Sequence, residues 1–229
     1  HPVSHPKANI LLNSLLFHSH SNMKPILVID LNGALLKSRP FEKAHKNWFK
    51  LMSILLKDKS ILKYSKLDNY FDKVDEIMQR YLGNVNPKTR VTFARNLFSM
   101  LTIEEVKKTD LIQELVDYLL KIKEKYTLVL ITSAPELSVE PLLEKVGCSN
   151  LFDIVYKSPL KDYPDKLSLF KLFIKNQGKI DYYVGEGDKD ILEIKKLGIK
   201  IISVNWVSKG KFKGDYDVEK VEELGEILG

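Results

Sequence analysis

Asp30 closes the apolar run Val28-Ile-Asp and is followed at once by Leu31-Asn-Gly. A carboxylate at the end of a buried run can attack an electrophile or hold a hard cation. Three further places carry groups of matching type. A second apolar run, 127–132, ends in Thr132-Ser133, whose hydroxyls can donate to a phosphoryl oxygen. Lys161 stands in LKDYPDK, after a third run. A fourth run leads into VGEGDKD, with Glu186 and Asp190. Asp30, Glu186 and Asp190 together are hard oxygen donors, which suits Mg²⁺. A divalent cation and the Lys161 ammonium would offset the charge of a phosphoryl group. With that charge offset, Asp30 can act as a carboxylate nucleophile.

Such a set works only if strands bring it to one edge. Short β-branched and apolar runs predict strands over 26–30, 127–132, 153–156, 182–184 and 200–204. Helical periods lie between the later ones, over 135–146, 165–176, 189–197 and 218–228. Alternating strand and helix predicts a Rossmann-like parallel sheet covered on both faces. In such sheets ligands bind outside the carboxyl ends of the strands, where all four groups fall.

The stretch between the first two strands reads differently. Residues 41–56, 68–82 and 87–101 carry helical stripes, among them Phe41, Trp48, Phe49 and Met52, then Tyr70, Phe71, Val74, Ile77, Met78 and Tyr81. Aromatic stripes at this spacing are read as core. Thr102, three residues before Glu105, is read as a capping box opening a further helix that runs to about Tyr126. The expected organisation is an N-terminal extension over 1–22, an α/β core over 23–36 and 103–229, and an all-helical insertion over 37–102.

Composition limits the function classes. The chain has 229 residues, 44% apolar and 29% charged, which fits one core with a large insertion. No apolar stretch is long enough for a membrane span. The single cysteine, Cys148, excludes an internal disulfide and fits a reducing compartment, so a cytoplasmic location is expected. Residues 37–100 hold 14 Lys and Arg against 6 Asp and Glu, although the whole chain is only +6. That basic segment, with Tyr64, Tyr70 and Phe71 among its lysines, raises a nucleic-acid reading, but no recognised motif accompanies it. Residues 1–22 hold four of the five histidines, His1, His5, His18 and His20, and Met23 is read as the natural start. Oligomeric state is not legible.

The four strand-end motifs together resemble those of the haloacid dehalogenase superfamily of phosphohydrolases, over about 24–229. The family's Asp-x-Asp-Gly-Thr-Leu is DLNGALL here, its strand ending in Thr or Ser is LVLITSAP, its Lys-Pro-x-Pro is KDYP, and its Gly-Asp-x-x-x-Asp is GEGDKD. LLKSRP followed by a helix is similar to the phosphoglycolate-phosphatase-like branch, with a helical cap between the first two motifs. The resemblance implies an Mg²⁺-dependent phosphatase acting on a small phosphorylated metabolite through an aspartyl-phosphate. It assigns Asp30 as nucleophile and metal ligand, Thr132, Ser133 and Lys161 to phosphate, and Glu186 and Asp190 to the metal.

One departure falls on the chemistry. The family's second motif-one acid is Asn32 here, which can lend a metal its backbone carbonyl but cannot transfer a proton. Losing a general acid or base typically costs about 10²–10⁴-fold in rate. Four consequences stand open. The substrates need little acid help, as acyl or aryl phosphates do. A group of the insertion, His45, Lys37 or Lys43, supplies the proton. The protein binds phosphate without turning it over. Or Asn32, followed by Gly33, deamidates or stands in for an acid.

Overall fold

Period-two alternation builds the sheet. The structure is a computed structural model and describes residues 24–66, 71–207 and 209–229. The expectations for residues 1–22, Met23 and Tyr70 lie outside them. β1 (Ile26–Ile29), β2 (Thr127–Pro135), β3 (Ile154–Ser158), β4 (Tyr182–Glu186), β5 (Lys200–Val204) and β6 (Tyr216–Val218) form one sheet in the order β3-β2-β1-β4-β5-β6. Every pairing is parallel. Leu27, Ile29, Leu128, Leu130, Val184 and Ile202 face one apolar cluster, while Val28, Val129, Ile131, Tyr183 and Ile201 face another. Period two puts successive side chains on opposite faces, so a central strand buried on both sides must be apolar throughout.

The covering helices fall on the two faces accordingly. α4 (Gln113–Ile122), α5 (Glu136–Val146) and α8 (Leu224–Leu228) supply the first cluster, with Leu115, Leu119, Val139, Leu142 and Leu224. α6 (Lys166–Gln177) and α7 (Asp190–Lys195) supply the second, with Phe170, Phe173, Ile191 and Ile194. After β3 the chain crosses β1 to place β4 on its other side. The direction of winding therefore reverses between β1 and β4, and a crevice opens there at the carboxyl ends.

Between β1 and β2 lie α1 (Arg39–Leu55), a 3₁₀ segment (Lys59–Lys66), α2 (Phe71–Leu82) and α3 (Pro87–Glu105). They enclose a third cluster of Trp48, Phe49, Met52, Ile61, Tyr64, Ile77, Met78 and Ala94. The Trp48 indole N–H donates to the Ala94 carbonyl at 3.1 Å, tying α1 to α3. Asn86 caps α3 by accepting from the Lys88 N–H at 2.9 Å, with Pro87 in the first turn.

Three local expectations are corrected. Thr102 opens no helix: it lies in the last turns of α3, and its hydroxyl donates back to the Phe98 carbonyl at 2.8 Å. A Ser or Thr hydroxyl can satisfy itself this way inside a helix, so the Thr-x-x-Glu pattern does not require a cap. The chain breaks after Val106, and α4 starts only at Gln113. At the C-terminus, the expected helix over 218–228 is divided. Tyr216–Val218 adds β6 to the sheet edge, and a 3₁₀ turn at Val221–Glu223 precedes the short α8. Three residues are too few to show a strand period.

Candidate active site

The strand ends meet in one cavity of about 250 Å³. Asp30, Asn32, Thr132, Ser133, Glu186 and Asp190 line it from the sheet, and Phe41, His45, Trp48, Met78, Val91 and Phe98 line it from the insertion. Lys161 is not among the lining residues and is exposed. The amine that reaches Asp30 belongs to Lys166, whose Nζ donates to Asp30 Oδ2 at 2.7 Å. Helix initiation explains the difference. Asp165 caps α6 by accepting from the Ser168 N–H at 3.0 Å, which fixes Lys166 in the first helical residue. Lys161 precedes the cap, in the open segment after β3.

Asp30 is almost wholly buried, 3% exposed. Its Oδ1 accepts the Leu31 N–H at 2.9 Å, and Oδ2 accepts both Lys166 and the Tyr183 hydroxyl, the latter at 3.1 Å. Lys166 also donates to the Tyr183 oxygen at 3.3 Å. Burial pushes the Asp30 carboxyl above the ordinary range, and the ammonium works in the opposite sense. Burial likewise opposes the charge on Lys166, but Asp30, Tyr183 and Asp188 together hold it well above its ordinary value. Gly185 leaves the space that the Tyr183 hydroxyl occupies, since a Cβ there would strike it.

The loop after β1 is folded tightly on itself. Leu35 N–H donates to the Asp30 carbonyl at 3.2 Å and Leu36 N–H to the Leu31 carbonyl at 2.8 Å. Gly33 turns in the left-handed region, φ 83°, and any Cβ there would collide with the Glu186 carboxylate. Its N–H donates to the Leu36 carbonyl at 2.8 Å, which holds that nitrogen back from attack on the Asn32 amide. Asn32 Oδ1 is buried and has no hydrogen-bond partner among the described residues.

Acidic groups gather opposite. Lys166 Nζ lies 3.8 Å from Asp188 and 4.0 Å from Asp190, and the Ser38 hydroxyl donates to Glu186 at 3.4 Å. Burial raises the Glu186 carboxyl, and Asp188 and Asp30 add to the rise. Burial also raises Asp190, against the pull of Lys166. Among the described residues no three His, Cys, Asp or Glu side chains already converge closely enough to hold a metal. The donors nevertheless suit a hard divalent cation: they are carboxylates whose charge is disfavoured by burial and by one another, with an unpaired amide oxygen beside them.

Of the three expected proton donors, only His45 lines the cavity, and it carries no proton to give. His45 is stacked on Phe98, ring centroids 4.2 Å apart, and burial pushes it down to about 3, so it is neutral at physiological pH. Lys37 donates to the Thr109 carbonyl, and Lys43 pairs with Glu105 at 2.6 Å; neither lines the cavity.

Sequence reasoning set Lys166 aside in favour of Lys161 and missed Tyr183, Asp188, Arg90 and Arg95. The Pro-Asp-Lys run before an amphipathic stripe was the available signal for Lys166, since Asp is a preferred cap. Arg90 and Arg95 share the buried face of α3 with Val91 and Ala94, and polar residues on a helix face are ordinarily read as solvated.

No protein-family model and no curated protein sequence matches the chain. Solved structures do. A haloacid dehalogenase-like hydrolase from Streptococcus pneumoniae is 16% identical with a TM-score of 0.63, over 90% of this chain and 99% of that one. The HAD-hydrolase YfnB of Bacillus subtilis, solved with magnesium bound, is 15% identical with a TM-score of 0.59, over 90% and 99%. A mutant of CbbY from Rhodobacter sphaeroides, in complex with xylulose-(1,5)bisphosphate, is 16% identical with a TM-score of 0.58, over 89% and 97%. The chain has the haloacid dehalogenase-like fold.

Proposed function

We propose that this protein is a Mg²⁺-dependent phosphohydrolase for a small phosphorylated molecule, with Asp30 as nucleophile. The observation that carries this reading is the Asp30–Lys166 pair, 2.7 Å apart at the crevice end of a parallel sheet and lining the cavity there. A carboxylate oxygen of Asp30 attacks phosphorus and forms an aspartyl-phosphate as the bond from phosphorus to the leaving-group oxygen breaks, and water then releases inorganic phosphate and frees Asp30. Lys166 offsets phosphoryl charge, and the hydroxyls of Thr132 and Ser133 donate to its oxygens. Thr132 Oγ1 accepts the Ala134 N–H at 3.1 Å, which leaves its own proton for that purpose. Tyr183 holds the Asp30 carboxylate in place. Asp30, Glu186, Asp190 and the Asn32 carbonyl are the ligands for Mg²⁺, which would supply further charge neutralisation when bound. The helices between β1 and β2 act as a cap that excludes water and selects the leaving group.

A second reading is a phosphate-binding protein without turnover. Asn32 favours it, because an amide transfers no proton and His45, which lines the same cavity, is neutral. Phosphate release from phenyl phosphate and acetyl phosphate, with Mg²⁺ and with EDTA, separates the two. Under the first reading the protein releases phosphate with Mg²⁺, Asp30→Ala does not, and Asn32→Asp is faster by about 10²–10⁴-fold on phenyl phosphate. Acetyl phosphate, whose leaving group needs little acid help, gains less. Turnover by Asn32→Asp alone favours the second reading, and turnover surviving Asp30→Ala removes the aspartyl-phosphate step.

A further inference from the structure

On the outer side of the insertion lies an open groove of about 640 Å³ between α1 and the 3₁₀ segment, and its charged lining residues are all lysines: Lys46, Lys50, Lys57 and Lys59. Ile54 and Leu62 line it with them. None of the four ammonium groups has an ion pair or a side-chain hydrogen bond among the described residues. The nearby carboxylates are engaged elsewhere. Glu105 takes Lys43 at 2.6 Å and Asn47 at 2.7 Å. Asp58 is turned to α2, where it accepts from the Tyr81 hydroxyl and lies 3.8 Å from Arg80. The groove and the strand-end cavity use opposite faces of α1. Phe41, His45 and Trp48 line the cavity, whereas Lys46, Lys50 and Ile54, four residues apart, are exposed on the other face.

The end of α1 adds a further charge. The Asp58 N–H donates to the Ser53 carbonyl at 3.0 Å and the Lys57 N–H to the Ile54 carbonyl at 3.2 Å, a closing turn whose left-handed residue is ordinarily glycine. Lys57 takes that conformation, φ 52°, so the turn carries an ammonium into the groove. The exposed groups between the lysines decide what the groove suits. A nucleic-acid strand stacks its bases on exposed aromatic faces. Tyr64 is buried, 8% exposed, and no aromatic residue lines the groove. Aliphatic groups are exposed instead, Ile54 at 63% and Leu62 at 41%, with Leu55, next in the chain, at 58%. Lysines set around exposed aliphatic side chains match a bilayer interface, where ammonium groups meet anionic headgroups and the aliphatic groups leave water.

We propose that this face docks the protein peripherally on an anionic lipid bilayer. Headgroup phosphates and carboxylates lie among the four lysines, and Ile54 and Leu62 enter the headgroup layer. The cavity is on the other face of α1, so docking and the phosphohydrolase reading stand or fall separately.

Sedimentation of the full chain with vesicles tests this. The vesicles are phosphatidylcholine alone, or phosphatidylcholine with about one-third phosphatidylserine. The chain partitions onto the serine-containing vesicles at least about tenfold more than onto phosphatidylcholine, and is released as salt rises to about 0.5 M. One lysine at an anionic surface contributes about fivefold, so Lys50→Gln/Lys57→Gln weakens partitioning by about 25-fold. Lys121→Gln/Lys175→Gln removes the same charge from exposed positions of α4 and α6 and changes partitioning by less than about twofold. Equal partitioning onto both vesicles, or none onto either, overturns the proposal. So does partitioning that survives Lys50→Gln/Lys57→Gln, or that falls as far in Lys121→Gln/Lys175→Gln. An oligonucleotide, single-stranded or duplex, that strips the protein from the vesicles at an equal concentration of negative charge makes the face a nucleic-acid surface and overturns it as well.

Discussion

The two ends of the cavity are built on opposite plans. At the sheet end the charged groups are mutually satisfied. Asp30 has three donors, Lys166 has two hydrogen-bonded partners and two nearby carboxylates, and strands buried on both faces hold them. At the insertion end much of the wall is apolar, Trp48 and Met78 belong to a cluster of the insertion's own while Phe41 packs into a sheet cluster, and Arg95 has no ion pair among the described residues. Reaction geometry needs rigidity, whereas selection among leaving groups needs a surface that can vary without disturbing the chemistry. Damage at the sheet end therefore costs stability and activity together, and damage at the insertion end falls on selection.

The largest effect expected from that contrast is at Lys166. Lys166→Met leaves the Asp30 carboxylate buried with only Tyr183 and a backbone amide. Breaking a buried pair from one side costs about 3–5 kcal/mol. Urea melts of Lys166→Met show a loss of that order, and phosphate release disappears with it. Lys161→Met leaves both unchanged, since Lys161 is exposed and outside the cavity. Stability unaltered in Lys166→Met breaks the account of the sheet end as a coupled unit.

A smaller effect is expected at His45, on the insertion side. Its folded value of about 3 lies below the roughly 6.5 of an unfolded histidine. The unfolded chain therefore takes up a proton below pH 6.5 that the folded protein refuses. The contribution is present above pH 6.5 and is lost as pH falls toward 3, at up to about 1.4 kcal/mol per unit. The raised carboxyls of Asp30, Glu186 and Asp190 act with the opposite sign, so the measurement must be a difference. The stability gap between the protein and His45→Gln narrows by about 1.5 kcal/mol between pH 6.5 and 5. A constant gap means that His45 is accessible to protons in the folded protein.

The same contrast decides what could be read from sequence. The parallel sheet was legible because its strands are short apolar runs at regular intervals, and Asp30, Thr132, Glu186 and Asp190 were legible because each sits just past one. Lys166 was not, because its position depends on where α6 begins, one residue past a cap, and the motif spacing pointed five residues earlier. Tyr183 was hidden inside a strand, where an aromatic residue is read as packing. β6 was too short to carry a period, and Thr102 matched a cap pattern that the fold uses as helix interior. Arg95 was not legible in the sequence at all. Nothing in its neighbourhood distinguishes a buried arginine facing a cavity from a solvated one.

The smallest effect tests whether the two ends are joined. Tyr163, in the segment between β3 and α6, donates its hydroxyl to Asp75 of α2 at 2.6 Å, so it ties the sheet side of the rim to the insertion. The residue is 58% exposed, so the bond competes with water and contributes only about 0.5–1 kcal/mol. Tyr163→Phe removes it while keeping the ring. Hydrogen exchange then speeds up by about two- to fivefold at the amides of α2, as expected for the loss of that free energy from a local opening. The amides of β1 and β4 keep their protection, because the sheet clusters do not include Tyr163. Unchanged exchange in α2 means that the hydroxyl does not hold the rim. Faster exchange in β1 as well means that the insertion and the sheet open as one unit, and that the separation of chemistry from selection does not extend to their stability.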